Sequence, residues 1–567
     1  MNRWSCLIAL VFSSLSVSAE TVYRRALDRV PSMDPILASS MYAGRAVQLT
    51  YEVLYEYDYA KRPYRLIPAA AEAMPEISEN GKVFLIRLRP ELRFHDDPCF
   101  PDGKGRSVVA QDVVFSFARL ADRRNASSGC WLTDPILGVD EYRDAQEKNP
   151  ASNPSLPGIR ALDDRTLRIE LSYSNQQFLW FLAMPYMAIV PHEAVEKYGS
   201  DFSGHPVGSG AYRLVDWRRN HRMKYCRHPD WWGWKKGPLA LTGAEDDQPF
   251  DIIQYSVIDD ASTQWLCFLN GELDFLGEIS RDNWDVVIDG SGQLTESLRK
   301  RGITLFSIPN MEISYVGINM RDPVLGKNKA LRQALNCAFD APAWSRFQNG
   351  RVQPADGPVP PETEGKLEEP FAYSFNLEKA KQLLVEAGYP GGIDPKTGRR
   401  LELTMDLGKT SQDMREAAEL MASFYARVGI ALHAQYHNWP SFLRKVAEGR
   451  SQLHRIIWVG DYPDAENFLQ LFSLKKLSPG PNRTFYENPE FEKLYDAACV
   501  ETDAVKRNQM WAQAQRIIRE DCPWIFLNFS KSYSLTSARV KNYIPSDFPF
   551  GSERYIRLKT AAEKGAK

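Results

Sequence analysis

Apolar residues between positions 401 and 459 follow two rhythms that alternate. Residues 401–407, 430–436 and 453–459 are short runs of strand length, while 414–428 and 441–448 place apolar residues at helical spacing. Strand, helix, strand, helix, strand predicts parallel strands joined by crossover helices. Earlier in the chain, 83–88 (VFLIRL) reads as a strand after a turn at Gly81. Residues 110–120 read as an amphipathic helix with Val113, Val114, Phe117 and Leu120 on one face. Further strands are predicted at 167–171, 252–258, 273–276 and 313–319, and one follows a glycine turn within 207–217. A helix is predicted at 262–270. Leu331, Ala334, Leu335, Ala338 and Phe339 keep the i, i+3, i+4, i+7, i+8 spacing of another. Asn488 and Pro489 open a helix bearing Phe491, Leu494, Tyr495 and Ala498. A last helix runs from Thr502 through Arg519, Pro523 stops it, and 524–529 form a late strand.

The strand at 453–459 runs straight into WVGDYPDAENF, residues 458–468. Gly460 opens a turn that holds Asp461, Asp464 and Glu466, with Trp458 and Tyr462 beside them. In open α/β sheets, ligand crevices lie outside the carboxyl ends of strands, so position favours contact with a ligand. Asp-Tyr-Pro-Asp is also ordinary turn chemistry, and Asp461 could simply cap the turn. Asp464 and Glu466 are expected to be solvated or to cap the next helix. Tyr315 and Asn319, at the strand entering this region, could line the same crevice or merely pack.

Length and composition narrow the class. A chain of 567 residues implies two to four domains at the usual size of roughly 100–200 residues. A net charge of −2 leaves no basic footprint for nucleic acid. The chain has 14 Trp and 25 Tyr, rings favoured where ligands dock but equally at home in large cores. Residues 1–19 have the form of a secretory signal peptide: a basic start, an apolar stretch, and Val17-Ser18-Ala19 before Glu20. Cys6 precedes the apolar stretch and is badly placed for lipidation. No later stretch reaches the ~18 apolar residues of a membrane helix, so an exported, soluble protein is expected. Export permits disulfides. Cys99 and Cys130, in loop-like segments, are the best candidate pair. Cys499 and Cys522 fit poorly, because they fall at the far ends of two successive helices, on the order of 20 Å apart.

The tools of an enzyme are missing. Val207 stands where a nucleophile elbow around Ser209 needs its first Gly, and Leu403 where a phosphate loop ending in Gly408-Lys409-Thr410 needs one. His433 and His437 share a face of a strand without zinc-site context, and His95-Asp96-Asp97 is a lone turn cluster. No metal, cofactor or catalytic residue is expected.

Four stretches in order resemble the extracytoplasmic solute-binding proteins of the peptide-binding family that serve ATP-driven importers. They are RLIPAAAEA (65–73) with its strand and the DVVFS helix (112–116); VGSGAYRLVDW (207–217) with HPDWWG (228–233); ISYVGINMRDPVLGKNKALRQALNCAFD (313–340); and WVGDYPDAENFLQLF with NPEFEKLYDAA (488–498). The chain departs from the pattern between Asp96 and Ser107 and between Asn125 and Pro157, the insertions that carry Cys99 and Cys130. The resemblance implies an α/β fold of the type II periplasmic-binding-protein kind, with two hinged lobes and a third, smaller inserted domain. Lobe I would take residues 20–66, 188–311 and 525–567, the inserted domain 67–187, and lobe II 312–524. It further implies a periplasmic monomer that binds peptides or related solutes and meets the permease subunits of an ABC importer. The Asp of the Trp-x-x-Asp turn receives the ligand's α-ammonium group in such relatives, which here is Asp461. Exported hydrolases of peptides or cell wall, and importer-independent sensors or chaperones, are the competing classes.

Overall fold

The computed structural model of the chain describes residues 20–149, 154–236, 249–280, 283–478 and 480–559. The expected leader at 1–19 lies outside the described residues. Where the apolar rhythm is strong, the elements follow it. The strand Leu453–Val459 and the helix Ala110–Ala121 form as expected. Glu402–Leu407 runs parallel to both Ala431–Tyr436 and Leu453–Val459, with the helices Gln412–Ala426 and Trp439–Ala447 as crossovers. Pro489–Val500 is a helix because Asn488 Oδ1 accepts from the amides of Glu490 and Phe491 and Pro489 needs no donor in the first turn. Asp503 rather than Thr502 caps the helix Ala504–Asp521.

One strand runs well past its apolar signal. Trp524–Thr536 is 13 residues long, against the expected 524–529. Its second half, SKSYSLT, is polar, so hydrophobicity alone stops near Phe529. It persists because a partner strand, Thr304–Pro309, pairs antiparallel with it from Lys531 to Thr536. Its first half pairs instead with Glu312–Ile318 and Val352–Pro354. This single strand therefore joins two strand groups into one 12-stranded sheet. One group runs through Phe275–Leu276, Val22–Leu27, Ile252–Val257, Arg222–Arg227 and Tyr212–Arg218. The other holds Glu312–Ile318, Leu453–Val459, Glu402–Leu407 and Ala431–Tyr436. The chain crosses between the groups again where only Asn310 and Met311 separate Thr304–Pro309 from Glu312–Ile318.

Glu312–Ile318 is covered on both faces, as sheets with parallel strands usually are. Ile313 and Tyr315 join a cluster with Phe468, Trp511 and Trp524, while Val316 and Ile318 join one with Leu335, Leu384 and Met421. A separate four-stranded sheet, in the order Glu76–Ser78, Val83–Arg87, Thr166–Glu170, Ile159–Ala161, packs under Ala110–Ala121. Its apolar residues merge with those of the first strand group, so Phe84 and Phe117 share one core with Tyr23 and Val47.

The expected Cys99–Cys130 disulfide does not form; both thiols are free. The two cysteines belong to opposite ends of Ala110–Ala121. Cys99 sits in a turn held on the helix His192–Tyr198, where Tyr198 Oη donates to Asp97 Oδ1, and Arg106 ties that helix to Asp112 in the first turn of Ala110–Ala121. The Cys130 thiol donates to the Ala121 carbonyl at the other end (3.4 Å) and receives a hydrogen bond from Arg143 (3.2 Å). A 12-residue helix is about 18 Å long, far beyond the ~7 Å Cα reach of a disulfide. Cys499 and Cys522 are free as well, near the end of one helix and past the far end of the next.

Candidate functional site

The turn after Leu453–Val459 stands where three cavities meet. The largest, about 750 Å³, opens between segment 128–181 and segment 458–483, and Trp458, Asp461 and Tyr462 line it. A second, about 210 Å³, lies between the two strand groups and has Val459 and Gly460 on its wall. A third, about 170 Å³, is bounded by residues 38–41, 184–186 and 547–550, and again by Val459, Gly460 and Asp461.

Two ties set the shape of the turn. Gly460 donates its amide to the Met311 carbonyl at the crossing between the strand groups (2.8 Å). A Cβ at this position would stand 2.9 Å from both Met311 Cγ and Phe468 Cζ, so close approach requires glycine here. Asn467, fully buried, supplies the second tie: its Oδ1 accepts from Trp458 Nε1 (3.0 Å) and from the Asp461 amide (3.1 Å). Its Nδ2 faces Asp461 Oδ2 at 3.5 Å. Asn467 thus fixes the ring and the carboxylate relative to each other.

The three carboxylates of the turn have different fates. Asp464 is buried; its Oδ1 caps the Glu466 amide (2.9 Å) and its Oδ2 accepts from Arg507 (2.8 Å), which also meets Glu364. Burial pushes its pKa up to about 6 despite that guanidinium. Glu466 accepts from the hydroxyls of Tyr462 and Tyr495, each at 2.5 Å. Neither Asp464 nor Glu466 is solvated; of the two roles expected from sequence, Asp464 takes the capping one, and Glu466 takes neither. Pairing with Arg507 and Tyr495, both remote in sequence, and with Tyr462 of the same turn makes their burial tolerable. Asp461 is half-buried, and no described Lys or Arg forms an ion pair with it. Burial raises its pKa, the Asn467 amide opposes that rise, and nearby Glu466 adds to it. A carboxylate without a cation therefore stands on the wall of two cavities.

The structure brings Trp458, Gly460, Asp461 and Tyr462 together and places the other two predicted residues elsewhere. Tyr315 is 2% exposed and stacks on Trp524 at a 3.5 Å centroid distance. Asn319 donates to the carbonyls of Gly449 (2.8 Å) and Ser451 (3.0 Å) and accepts from the Arg321 amide, which pins the turn after its strand. Both pack rather than line a cavity. The Tyr462 ring faces Phe181 at 5.5 Å.

Sequence reasoning misses Asn467 and Asp547. Asp547 lines the two smaller cavities. Its Oδ1 accepts from the Met311 amide (3.0 Å) and its Oδ2 from Tyr64 Oη (2.9 Å); burial pushes its pKa up to about 6. No local motif marks it, because its partners come from remote segments. The histidines singled out in the sequence serve local structure. His437 meets Asp406 at 2.6 Å, His433 is exposed near Glu402, and buried His95 bonds the Gly210 carbonyl with its pKa driven down to about 3 by desolvation. Among the described residues no group of three His, Cys, Asp or Glu side chains is placed to hold a metal ion.

Residues 65–478 match the family model of the bacterial extracellular solute-binding proteins, family 5 Middle. Heme-binding protein A of Haemophilus influenzae is 27% identical over 530 residues, covering 92% of this chain and 88% of its own. The dipeptide-binding protein of Escherichia coli is 25% identical over 565 residues, covering 97% and 96%. In fold, the chain is similar to the unliganded open form of the periplasmic murein tripeptide binding protein MppA. That similarity has a TM-score of 0.77 at 22% identity and covers 96% and 99% of the two chains.

Proposed function

The chain belongs to the bacterial extracellular solute-binding proteins of family 5, and from that premise we propose that it captures a short peptide or peptide-like solute and delivers it to an ABC importer. The observation that supports a guest with a free amine is Asp461, a half-buried carboxylate on a cavity wall with no protein cation beside it. An ammonium group leaving water needs an opposite charge and hydrogen-bond acceptors, and an ionised carboxylate supplies both. The guest also offsets the cost that burial imposes on the Asp461 charge. Trp458 and Tyr462 exclude water at the same point and favour a cation near their rings.

In this reading the protein binds and releases and does no chemistry on its guest. It acts as a monomer in the periplasm after removal of residues 1–19. Lobe I (20–66, 188–311, 525–567) and lobe II (312–524) close about the guest, with 67–187 as the third domain. A guest that touches both lobes only when they are shut shifts the population to the closed form, which the permease reads.

Thermal shift with matched peptides, free or N-acetylated, tests the amine. Free-amine peptides raise the melting temperature and acetylated ones do not; equal stabilisation by both removes Asp461 from this role.

A further inference from the structure

A cavity of about 130 Å³ shares no lining residue with the three that meet at Asp461, and the capture of a peptide gives it no role. Three stretches remote in sequence converge on it. One is 91–96, between the four-stranded sheet and Ala110–Ala121; the second is Ser209, just before Tyr212–Arg218; the third is 228–232, just after Arg222–Arg227. Neither His95-Asp96-Asp97 nor Gly208-Ser209-Gly210 is an enzyme motif, and their meeting here gives both another use.

The floor of the cavity is aromatic and fixed. Phe94, Trp231 and Trp232 are buried, and the two indoles lie 5.4 Å apart. Trp231 donates its indole N–H to Glu52 (2.5 Å), and the Arg89 guanidinium covers Trp232 at 4.1 Å. Ser209 is clamped from both sides. His95 donates its amide to the Gly208 carbonyl (2.7 Å) and meets the Gly210 carbonyl through Nε2 (2.8 Å), while the Gly210 amide donates to the Thr50 carbonyl (2.8 Å). A Cβ at 208 would stand 2.1 Å from that same Thr50 oxygen, so the loop sits where only glycine fits. Ser209 itself is 3% exposed, and its Oγ has no hydrogen-bond partner. A buried hydroxyl without a partner is costly, and rotation about one bond lets it serve a guest in the cavity that it lines.

The rim carries both signs of charge. Glu91, Asp96 and Asp230 are exposed there beside Arg93, and Lys104 pairs with Asp96 (2.7 Å). Asp230 forms no ion pair among the described residues. Desolvation lowers the pKa of half-buried His228, so its ring is neutral at pH 7. An anion would meet three carboxylates, and a cation would meet Arg93 with Lys104 close by, so neither ion is well served. A neutral ring with several hydroxyls suits every group. It donates to the carboxylates, accepts from Ser209 and Arg93, and lays its C–H face on the aromatic floor.

We propose that this cavity binds a monosaccharide through Ser209, Asp230 and the floor of Trp231 and Trp232, as a second site independent of Asp461. A sugar seated there touches 91–96 and 228–232 together, and so ties the four-stranded sheet to the first strand group.

Ligand-observed NMR titrations of the purified protein test this. Glucose is the probe, cyclohexanol is a six-membered ring with one hydroxyl, and choline is an organic cation. Glucose binds saturably, and the other two bind about tenfold more weakly or not at all. Asp230→Asn, at an exposed position, and Ser209→Ala each weaken glucose binding by about five- to tenfold. Ser209→Ala melts no lower than wild type, because the hydroxyl it removes has no partner in the protein. Asp461→Asn leaves glucose binding unchanged. Equal binding of glucose and cyclohexanol, or no saturable binding of glucose, overturns the proposal. Tighter binding of choline than of glucose overturns it in favour of a cation site. Loss of glucose binding in Asp461→Asn but not in Asp230→Asn overturns it by moving the sugar to the cavities around Asp461.

Discussion

Asp461 and Asp547 share a cavity wall but hold their charges under different conditions. Asp547 has two neutral donors, the Met311 amide and Tyr64 Oη, with Glu312 adding unfavourable charge and Arg62 favourable charge nearby. Burial dominates and lifts its pKa to about 6 from an unfolded value near 3.8. The native state therefore holds a proton that the unfolded chain has released between those two values. Its contribution to stability is fully present below about pH 4 and is lost as pH rises through about 6. Asp547→Asn is neutral at every pH, so its melting temperature relative to wild type should climb between pH 4 and 7. Two pKa units bound the gain at about 3 kcal/mol, and the partial exposure of the site brings it to on the order of 1–2 kcal/mol. Parallel melting curves for the two proteins across that range would show that the carboxyl is ionised throughout.

At the scale of elements, the turn after Leu453–Val459 depends on glycine. The backbone at 460 does not have a positive φ. The demand comes from contact, because a methyl group would press on Met311 and Phe468, both buried. Overpacking of this kind costs about 1–3 kcal/mol. Gly460→Ala should lower the urea midpoint and weaken peptide binding together, since relief of the clash moves the Asp461 backbone. Gly290→Ala, where an added Cβ meets nothing within 4 Å, is the control and should leave both unchanged. A full-affinity Gly460→Ala protein would mean that the turn adapts and that its position is not set here. The same turn shows what sequence can convey. Its place at the end of a β-strand, its acidic character and its aromatic flanks are local, and all were legible from spacing alone. The cap that Asp464 places on the Glu466 amide was legible too, but the burial of Asp464 and Glu466 was not, because Arg507 and Tyr495 arrive from helices that follow later in the chain. Tyr315 misled for a related reason: alternation marks which face of a strand is buried, but both faces of Glu312–Ile318 are. The Cys99–Cys130 pairing failed because a loop-like setting says nothing of distance, and a 12-residue helix holds the two segments apart.

At the scale of the molecule, the two strand groups are joined by few covalent paths. One is the middle of Trp524–Thr536, where Ser530 and Lys531 change partners from Val352–Pro354 to Thr304–Pro309. The other is Asn310-Met311, anchored by Asn310 donating to the Ser530 carbonyl (2.8 Å) and by Ser532 Oγ donating to Asn310 Oδ1 (2.5 Å). The two crossings thus lie side by side, which is the arrangement a hinge requires: the backbone can bend at one line without breaking either ladder. Met311 also accepts the Gly460 amide and donates its own to Asp547, so this line runs directly beneath the turn that holds Asp461. In the proposed function, a guest held at Asp461 would act on the short arm of such a hinge. Binding shifts the open–closed equilibrium only by its differential affinity for the two states, and a guest that reaches Asp461 alone should close the protein less than one that spans to the opposite wall. Small-angle X-ray scattering measures this directly. The radius of gyration should fall when a free-amine peptide is added to wild type, and should fall less with Asp461→Asn at the same peptide concentration. An unchanged radius at saturating peptide would mean that capture occurs in a preformed cavity and that the paired crossings serve rigidity instead of motion.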